Sequence, residues 1–253
     1  MDTPVPPITD LPVRTQDYLK NIFDICERTH APASLKEIAT TMEQKAPTAS
    51  EAVKKLALNG YIHREPYHGI TLTEKGRQLA LAMVRRHRLV ETFLVEALNY
   101  GWDEVHEEAE MLEHAISDRL LDRLDTFLGF PSRDPHGDPI PSASGEIDTV
   151  GGFTLRAIAT GEHTVVERIH DHSVDILRYL REHAIVPGAE IRVGEPPFAG
   201  MVALYVRQAD GAWASEPVLL NEEAVRCVDV ADPRMKDDTT LGAQRDLRQE
   251  PQE

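Results

Sequence analysis

A short segment near the middle of the chain concentrates side chains that commonly ligate metal ions. Residues 106–114 read HEEAEMLEH. Four of these residues stand at i, i+4, i+7 and i+8: His106, Glu110, Glu113 and His114. A helix presents such positions on one face, so two imidazoles and two carboxylates would lie together. A second pair, His87 and Glu91, is also spaced i, i+4.

This combination of residue types favours a divalent cation. Carboxylates crowded on one face repel each other, and the repulsion costs stability unless a cation offsets it. Mixed imidazole and carboxylate ligands suit Mn, Fe, Co or Zn. The alternative is a solvated acidic face on a dimer-forming helix, which would explain any single glutamate equally well. Six other histidines receive no metal role from spacing: His30, His63, His68, His136, His163 and His183.

Two predicted helices would position these ligands. Apolar residues at helical spacing predict a long helix from about Thr73 to Ala97, which carries His87 and Glu91. They also predict a helical stretch from Asp103 to Leu128. If the two helices face each other, all six candidate ligands can meet.

The N-terminal third predicts a DNA-binding module. We expect a helix over 15–30 with Thr15 as its cap, and a second helix begun by a capping box of Ser34 and Glu37. A third helix, with Pro47 in its first turn and Gly60 at its stop, precedes a hairpin. Helix–helix–helix–hairpin is the order of a winged helix-turn-helix.

Polar and basic side chains mark the surface of this module that would contact DNA. The third helix and the hairpin supply the candidates Lys45, Pro47, Thr48, Ser50, Glu51, Lys54, Lys55, Arg64, Tyr67 and His68. Lys75, Arg77, Arg85, Arg86 and Arg88 add charge nearby. The net charge is +3 over residues 1–90 and −19 over the remainder, an asymmetry that fits nucleic acid at one end. A winged helix used for protein interaction is the alternative.

The remaining chain predicts a linker or fixed loop over 129–145 and then a small β-barrel. Segments FTLRAIA, AEIRVGE, MVALYVR and VRCVDV have the pattern of strands, and DILRYLREHAI that of a helix. The expected domains are 12–80 for DNA binding, 81–145 for dimerisation and metal binding, 150–232 for the barrel, and 233–253 as a disordered tail.

Composition narrows the class of protein. Apolar residues make up 41% and charged residues 28% of 253, as in a folded soluble protein. No apolar run is long enough for a membrane span, and the first residues lack the layout of a signal peptide. Cys26 and Cys227 are far apart, which fits a reducing compartment. We therefore expect a cytoplasmic protein.

With these features in place, residues 15–141 resemble the diphtheria-toxin-repressor family of iron and manganese regulators. The resemblance runs through QKAPTASEAVKKLALNGYI, GITLTEKGRQLA, RRHRLVETFLVEALNYGWDEVHEEAEMLEHAIS and DPHGDPIP. It implies a mainly α fold with a small β domain: a winged helix-turn-helix, a helical dimerisation domain and a C-terminal SH3-like barrel.

The resemblance also implies two metal sites per subunit. The primary, activating site would use Asp17, Glu110, Glu113 and His114. The ancillary site would use His87, Glu91 and His106, with Asp171 and His172 as SH3-like-domain candidates.

Two departures from the family pattern bear on the choice of metal. Asp17 and Glu110 replace the Met and Cys of iron-type members, which favours Mn(II), with Fe(II) as the alternative. Lys20 stands where manganese-type members commonly carry Glu, which argues for a separate ancillary site instead of a closely bridged metal pair.

The resemblance implies a homodimeric repressor that binds operator DNA when loaded with metal and controls metal-ion homeostasis genes. Two rival interpretations come from other classes. A dimetal carboxylate enzyme commonly carries Glu-x-x-His pairs, and this pair is absent between 110 and 114. A metal-independent helix-turn-helix scaffold would leave the six-ligand cluster unexplained.

Overall fold

A computed structural model describes residues 5–65, 68–148, 153–170 and 173–232. The predicted tail, 233–253, and the candidates Tyr67, Asp171 and His172 lie outside the described residues. Within the described part, no helix combines the length and apolar character needed to cross a membrane.

The N-terminal unit has the predicted helix–helix–helix–hairpin order. Its elements are α1 (Val13–Thr29), α2 (Leu35–Thr41), α3 (Ala46–Leu58), β1 (Ile62–Glu65) and β2 (Gly69–Leu72). Helix α1 begins directly after Pro12, so Thr15 lies inside it and does not cap it. The Ser34–Glu37 capping box is present, and Pro47 lies in the first turn of α3.

A long helix, α4 (Glu74–Leu98), connects the N-terminal unit to the rest of the chain. Thr73 caps it by accepting a hydrogen bond from the Gly76 amide. A Cβ at Gly76 would overlap the Tyr61 carbonyl, so only glycine allows α4 to lie this close to the hairpin. Helices α1 and α4 pack through a shared core that includes Leu19, Ile22 and Met83. This packing brings one face of α1 against the middle of α4.

The predicted helical stretch from Asp103 to Leu128 is two helices, α5 (Val105–Leu112) and α6 (Asp118–Phe127). The break follows from Ser117, whose hydroxyl caps α6 by accepting from the Leu120 amide. Helix α5 therefore ends at Leu112, Glu113 is its C-cap residue, and His114 lies in the turn beyond it. The prediction that His106, Glu110, Glu113 and His114 share one helix face was therefore wrong for His114, which lies outside the helix.

The Pro-rich segment after α6 is a fixed loop, the second of the two alternatives expected for it. The Asp134 carboxylate accepts hydrogen bonds from the amides of His136 and Asp138, both at 2.9 Å. The His136 carbonyl accepts from the amide of Ile169, at 2.8 Å. A Cβ at Gly137 would overlap the Glu167 carbonyl, so this loop lies directly against the C-terminal unit.

The elements of the C-terminal unit are β3 (Phe153–Thr154), β4 (His163–Ile169), α7 (Val174–Glu182), β5 (Glu190–Gly194), β6 (Met201–Val206), β7 (Val218–Asn221), α8 (Glu222–Arg226) and β8 (Val228–Val230). Among the described residues, these strands form one antiparallel sheet in the order β3-β8-β4-β5-β6-β7. The prediction of a strand over the whole of FTLRAIA was wrong, because a 3-10 helix (Leu155–Ala157) follows its first two residues. Strands β4 and β7 were not predicted.

Ion pairs connect the N-terminal unit, the helical unit (α4 to α6 with the loop after them) and the C-terminal unit at one point. We call this point the arginine junction: Arg88, Arg168, Glu27, Asp134 and Asp138. Arg168 of β4 pairs with Glu27 of α1 at 3.1 Å and with Asp138 of the loop. Arg88 of α4 pairs with Glu27 at 3.4 Å and donates to the Pro139 carbonyl at 2.6 Å. The junction therefore contains at least one residue from each unit.

Candidate metal centre

Helices α1, α4 and α5 meet at a group of potential ligands that crosses from the N-terminal unit to the helical unit. His114 Nε2 lies 3.0 Å from Asp17 Oδ1 and 3.4 Å from Glu113 Oε1. The three side chains offer ligand atoms that lie within 4.8 Å of one another. Asp17 belongs to α1, whereas Glu113 and His114 follow α5. This group is the crossing set: Asp17, Glu113 and His114.

Gln16, which we did not predict, orients the imidazole of the crossing set. Its Nε2 donates to the Leu11 carbonyl at 2.8 Å, which fixes the amide so that Oε1 faces His114. That oxygen can only accept, so His114 Nδ1 carries the proton and donates to it at 2.8 Å. With Nδ1 engaged in this way, His114 Nε2 is the ring nitrogen that faces Asp17 and Glu113, and it is the atom that could bind a metal beside them.

The second predicted group also comes together, between α4 and α5. His87 Nε2 lies 3.0 Å from Glu91 Oε1, and His106 Nδ1 lies 3.2 Å from the same oxygen. His87, His106 and Glu110 offer ligand atoms within 4.8 Å of one another. All six candidates from the helical unit therefore lie in one region, which with Asp17 forms the ligand cluster: Asp17, His87, Glu91, His106, Glu110, Glu113 and His114.

His136, which spacing had set aside, joins a third group with Glu91 and Asp134. These three buried side chains also offer ligand atoms within 4.8 Å of one another. His136 Nε2 donates to the Trp102 carbonyl at 2.7 Å, which leaves Nδ1 facing Glu91 Oε2 at 3.7 Å. The signal that could have found this group is the Asp-x-His spacing inside DPHGDP.

Lys20 lies among these ligands. Its ammonium donates to Glu110 Oε1 at 2.6 Å and to both oxygens of Glu113, at 2.7 and 2.9 Å. His87 Nδ1 lies 3.3 Å away. Burial opposes the charge on Lys20, but the charges of Glu113 and Glu110 outweigh burial and raise its pKa. Lys20 is therefore a permanent cation inside the ligand cluster.

The same balance of burial and charge sets the other protonation states. Burial raises the pKa of Asp17, partly offset by the positive charges of His114 and Lys20. Burial opposes ionisation of Glu113, but hydrogen bonds from His87 and Lys20 lower its pKa to about 2. Burial would keep His87 neutral, yet the charge of Glu91 raises its pKa to about 9. In the metal-free protein, His87 is protonated at neutral pH.

The DNA-binding candidates occupy an exposed surface of α3 and the hairpin. Lys45, Pro47, Thr48, Glu51, Lys54, Lys55, Arg64 and His68 are exposed, and Ser50 is half-buried. Three arginines expected to add charge there do not. Arg85 pairs with Asp125, Arg86 pairs with Asp118, and Arg88 belongs to the arginine junction. These arginines are buried because they fasten α4 to the segments that follow it.

Comparison with known proteins identifies this arrangement. The iron dependent repressor N-terminal DNA binding domain matches residues 10–70, and the iron dependent repressor metal binding and dimerisation domain matches 73–142. The FeoA domain matches residues 153–211. The iron-dependent repressor IdeR of Mycobacterium leprae (strain TN) is 31% identical over 212 residues, which are 78% of this chain and 90% of the relative. The chain belongs to the diphtheria-toxin-repressor family of metal-dependent transcriptional regulators.

Solved structures of this family agree with that assignment. A manganese-dependent transcriptional repressor in complex with manganese is 46% identical, with a TM-score of 0.78, over 85% of this chain and 98% of the other. The manganese regulator SloR is 35% identical, with a TM-score of 0.69, over 86% of this chain and 97% of the other. The expected fold, a winged helix-turn-helix, a helical dimerisation domain and an SH3-like domain, is confirmed.

Proposed function

We propose that this family member is a Mn(II)-activated repressor whose activating ion is held by Asp17, Glu110, Glu113 and His114. The observation that carries this proposal is the crossing set. Asp17 belongs to the DNA-binding unit, and its partners belong to the helical unit. A cation shared by these side chains would tie α1 to the end of α5.

The chemistry of the donors fits a hard divalent cation. The described side chains of the ligand cluster offer carboxylate oxygens and imidazole nitrogens, and none offers sulfur. These carboxylates already gather around a positive charge, that of Lys20. Oxygen-rich ligands of this kind suit Mn(II), whereas thiolate and thioether would favour softer ions. An Fe(II) regulator remains the alternative, because relatives such as IdeR are named as iron-dependent.

A second ion would be held around Glu91. This buried carboxylate has one oxygen beside His87 and His106 and the other beside His136. Glu91 could therefore hold the second ion either with His87 and His106 or with His136 and Asp134. One variant in each of these two ligand sets distinguishes the two positions. Loss of the second ion in His136→Ala but not in His106→Ala would assign it to the set with Asp134.

The switch works by favouring one arrangement of the units. Without a divalent ion, the charge of Lys20 offsets only part of the repulsion among Asp17, Glu110 and Glu113. A bound Mn(II) supplies the positive charge that offsets this repulsion. The ligands then hold α1 in place, and with it α3, because both helices pack in one core. The ion shifts the population towards the DNA-binding arrangement by binding it better.

The functional unit would be a homodimer on double-stranded operator DNA. Leu120, Phe127 and Phe130, on and just after α6, are exposed apolar side chains of the kind that dimer interfaces bury. Dimerisation would place two copies of α3 at successive major-groove half-sites. Metal would then fix the distance between the two copies of α3 and stabilise their positions.

A gel-shift series tests the proposal. The DNA is a duplex selected by the protein from a random pool in Mn(II), and binding is compared in EDTA, Mn(II), Fe(II) and Zn(II) at buffered free metal. We expect Mn(II) to activate, and Glu110→Ala to remove most of that activation while the dimer persists. Glu107→Ala, an exposed position on the same helix, is the matched control. Equal activation of wild type and Glu110→Ala would reject the assigned ligands.

A further inference from the structure

The ligand cluster holds its own cation, and this cation uses oxygens that the activating metal needs. The Lys20 side chain is 9% exposed and forms ion pairs with Glu110 and Glu113. An ammonium has three donors, and those of Lys20 are directed at oxygens of Glu110 and Glu113. Glu113 Oε1 lies 2.7 Å from Lys20 Nζ and 3.4 Å from His114 Nε2. One oxygen therefore serves both the ammonium and the crossing set.

A second acidic partner, Asp24, is available to the Lys20 ammonium. A cavity of about 520 Å³ adjoins the cluster, and Lys20, Asn21, Asp24 and Arg88 are among its lining residues. Asp24 lies one helical turn after Lys20 on α1, so both side chains line the same cavity. The Asp24 side chain is 43% exposed, and it forms an ion pair with Arg88 at the long distance of 4.0 Å. A displaced ammonium can therefore exchange Glu110 and Glu113 for Asp24.

We propose that Lys20 is a tethered competitor of the metal: it neutralises Glu110 and Glu113 in the metal-free repressor and must move towards Asp24 before the activating ion binds. This proposal rests on the proposed metal site. Lys20 would raise the free Mn(II) concentration at which the repressor responds. It would also keep α1 and α5 together when no metal is present.

A structural role and a competitive role predict different results for Lys20→Met, which keeps the length of the side chain but removes its charge. If Lys20 only holds helices together, the metal-free protein loses stability and Mn(II) affinity falls or stays the same. If Lys20 competes with the metal, the metal-free protein loses stability and Mn(II) affinity rises. The sign of the change in affinity therefore decides between the two roles.

The experiment titrates metal-free, full-length protein with Mn(II) and follows free Mn(II) by electron paramagnetic resonance, with thermal melts in parallel. We expect Lys20→Met to bind its first Mn(II) at least about 10-fold more tightly and to melt at a lower temperature without metal. Lys36→Met, which removes an exposed positive charge from α2, should leave both quantities unchanged. Unchanged or weaker Mn(II) binding by Lys20→Met would overturn the proposal.

A second variant covers the case in which Lys20→Met does not fold. Asp24→Asn removes the alternative partner and leaves the ligands intact, so Mn(II) affinity should fall by a few-fold. Unchanged affinity in Asp24→Asn would contradict the exchange. If wild-type protein binds no Mn(II), the proposed function itself fails. If wild type binds Mn(II) but both variants match it, only the role of Lys20 fails.

Discussion

Two charge clusters lie side by side along α4, and they differ in how their charges are compensated. The ligand cluster sets the carboxylates of Asp17, Glu91, Glu110 and Glu113 against one lysine and its imidazoles. The arginine junction instead provides two guanidinium groups, from Arg88 and Arg168, for its acidic partners. It also lowers its own negative charge, because burial and neighbouring acids raise the pKa of Asp134 to about 8.

This difference indicates different roles for the two clusters. Buried acids that are neutralised by arginines of the same protein stabilise the fold, because removal of either partner leaves a buried charge unpaired. A group with an excess of carboxylates depends on whatever cation is present, so its stability can report metal. The two clusters are in contact through α4, where His87 and Arg88 are consecutive residues.

The largest expected effect comes from breaking the arginine junction. Arg88→Ala leaves Arg168 alone to compensate Glu27 and Asp138 and removes the donor to the Pro139 carbonyl, so the free energy of unfolding should fall by about 3–5 kcal/mol. The loss should be the same in EDTA and in Mn(II), because the junction is not proposed to sense metal. Urea unfolding measures it. Arg156→Ala, in an exposed pair with Glu222, should cost less than about 1 kcal/mol. A loss of unfolding free energy that appears only in EDTA would show that the arginine junction also responds to metal, which would contradict the proposed difference between the two clusters.

A smaller effect should appear as a pH dependence of the metal-free protein. Folding raises the pKa of His87 to about 9 from an unfolded value near 6.5, so the folded state binds this proton more tightly. The stabilisation is complete below pH 6.5 and is lost as pH rises through 9, up to about 3 kcal/mol. Denaturant unfolding in EDTA at several pH values measures this loss. His87→Gln should remove this part of the pH dependence, and exposed His63→Gln should not. Identical profiles for His87→Gln and wild type would count against the charge on His87.

The smallest expected effect concerns the orientation of His114. Gln16→Leu removes the acceptor for His114 Nδ1, so the imidazole is no longer held with Nε2 towards the crossing set. Mn(II) affinity should fall about 10-fold, the low end for removal of a partner that orients a metal-bound histidine. Isothermal titration calorimetry measures the affinity, and a thermal melt checks that the variant is folded. An unchanged affinity in the folded variant would show that Gln16 does not orient a ligand.

Much of the fold and of the candidate site followed from helical periodicity. His87 and Glu91, or His106 and Glu110, share a helix face because of their spacing alone, and the structure brings these pairs together. Helices α1 to α4 and the hairpin were also predictable, because capping residues and apolar spacing define them locally. Thr15 was wrong as a cap because α1 already begins at Val13, directly after Pro12, a residue type that is itself common at helix starts.

The features that escaped prediction depend on contacts between distant segments. His136 reaches Glu91 only because the 129–140 loop folds back against α4. Gln16 acquires its role from the turn after α5, some 98 residues away. Strand β4 was missed because Arg168 interrupts its apolar pattern, and this arginine is buried by acids from other units. Lys20 was noticed as a departure from the family, but its ion pairs required the packing of α1 on α5.

The most direct test of the account is the Mn(II) dependence of DNA affinity in Asp17→Asn. Asp17 is the ligand that the DNA-binding unit contributes to the crossing set, so its loss should uncouple metal from DNA. Fluorescence anisotropy with the selected duplex should show wild type gaining at least about 100-fold in affinity with Mn(II). Asp17→Asn should lose most of this gain while remaining a dimer, and exposed Asp10→Asn should keep it. A full Mn(II) response in Asp17→Asn would contradict the claim that metal acts by joining α1 to α5.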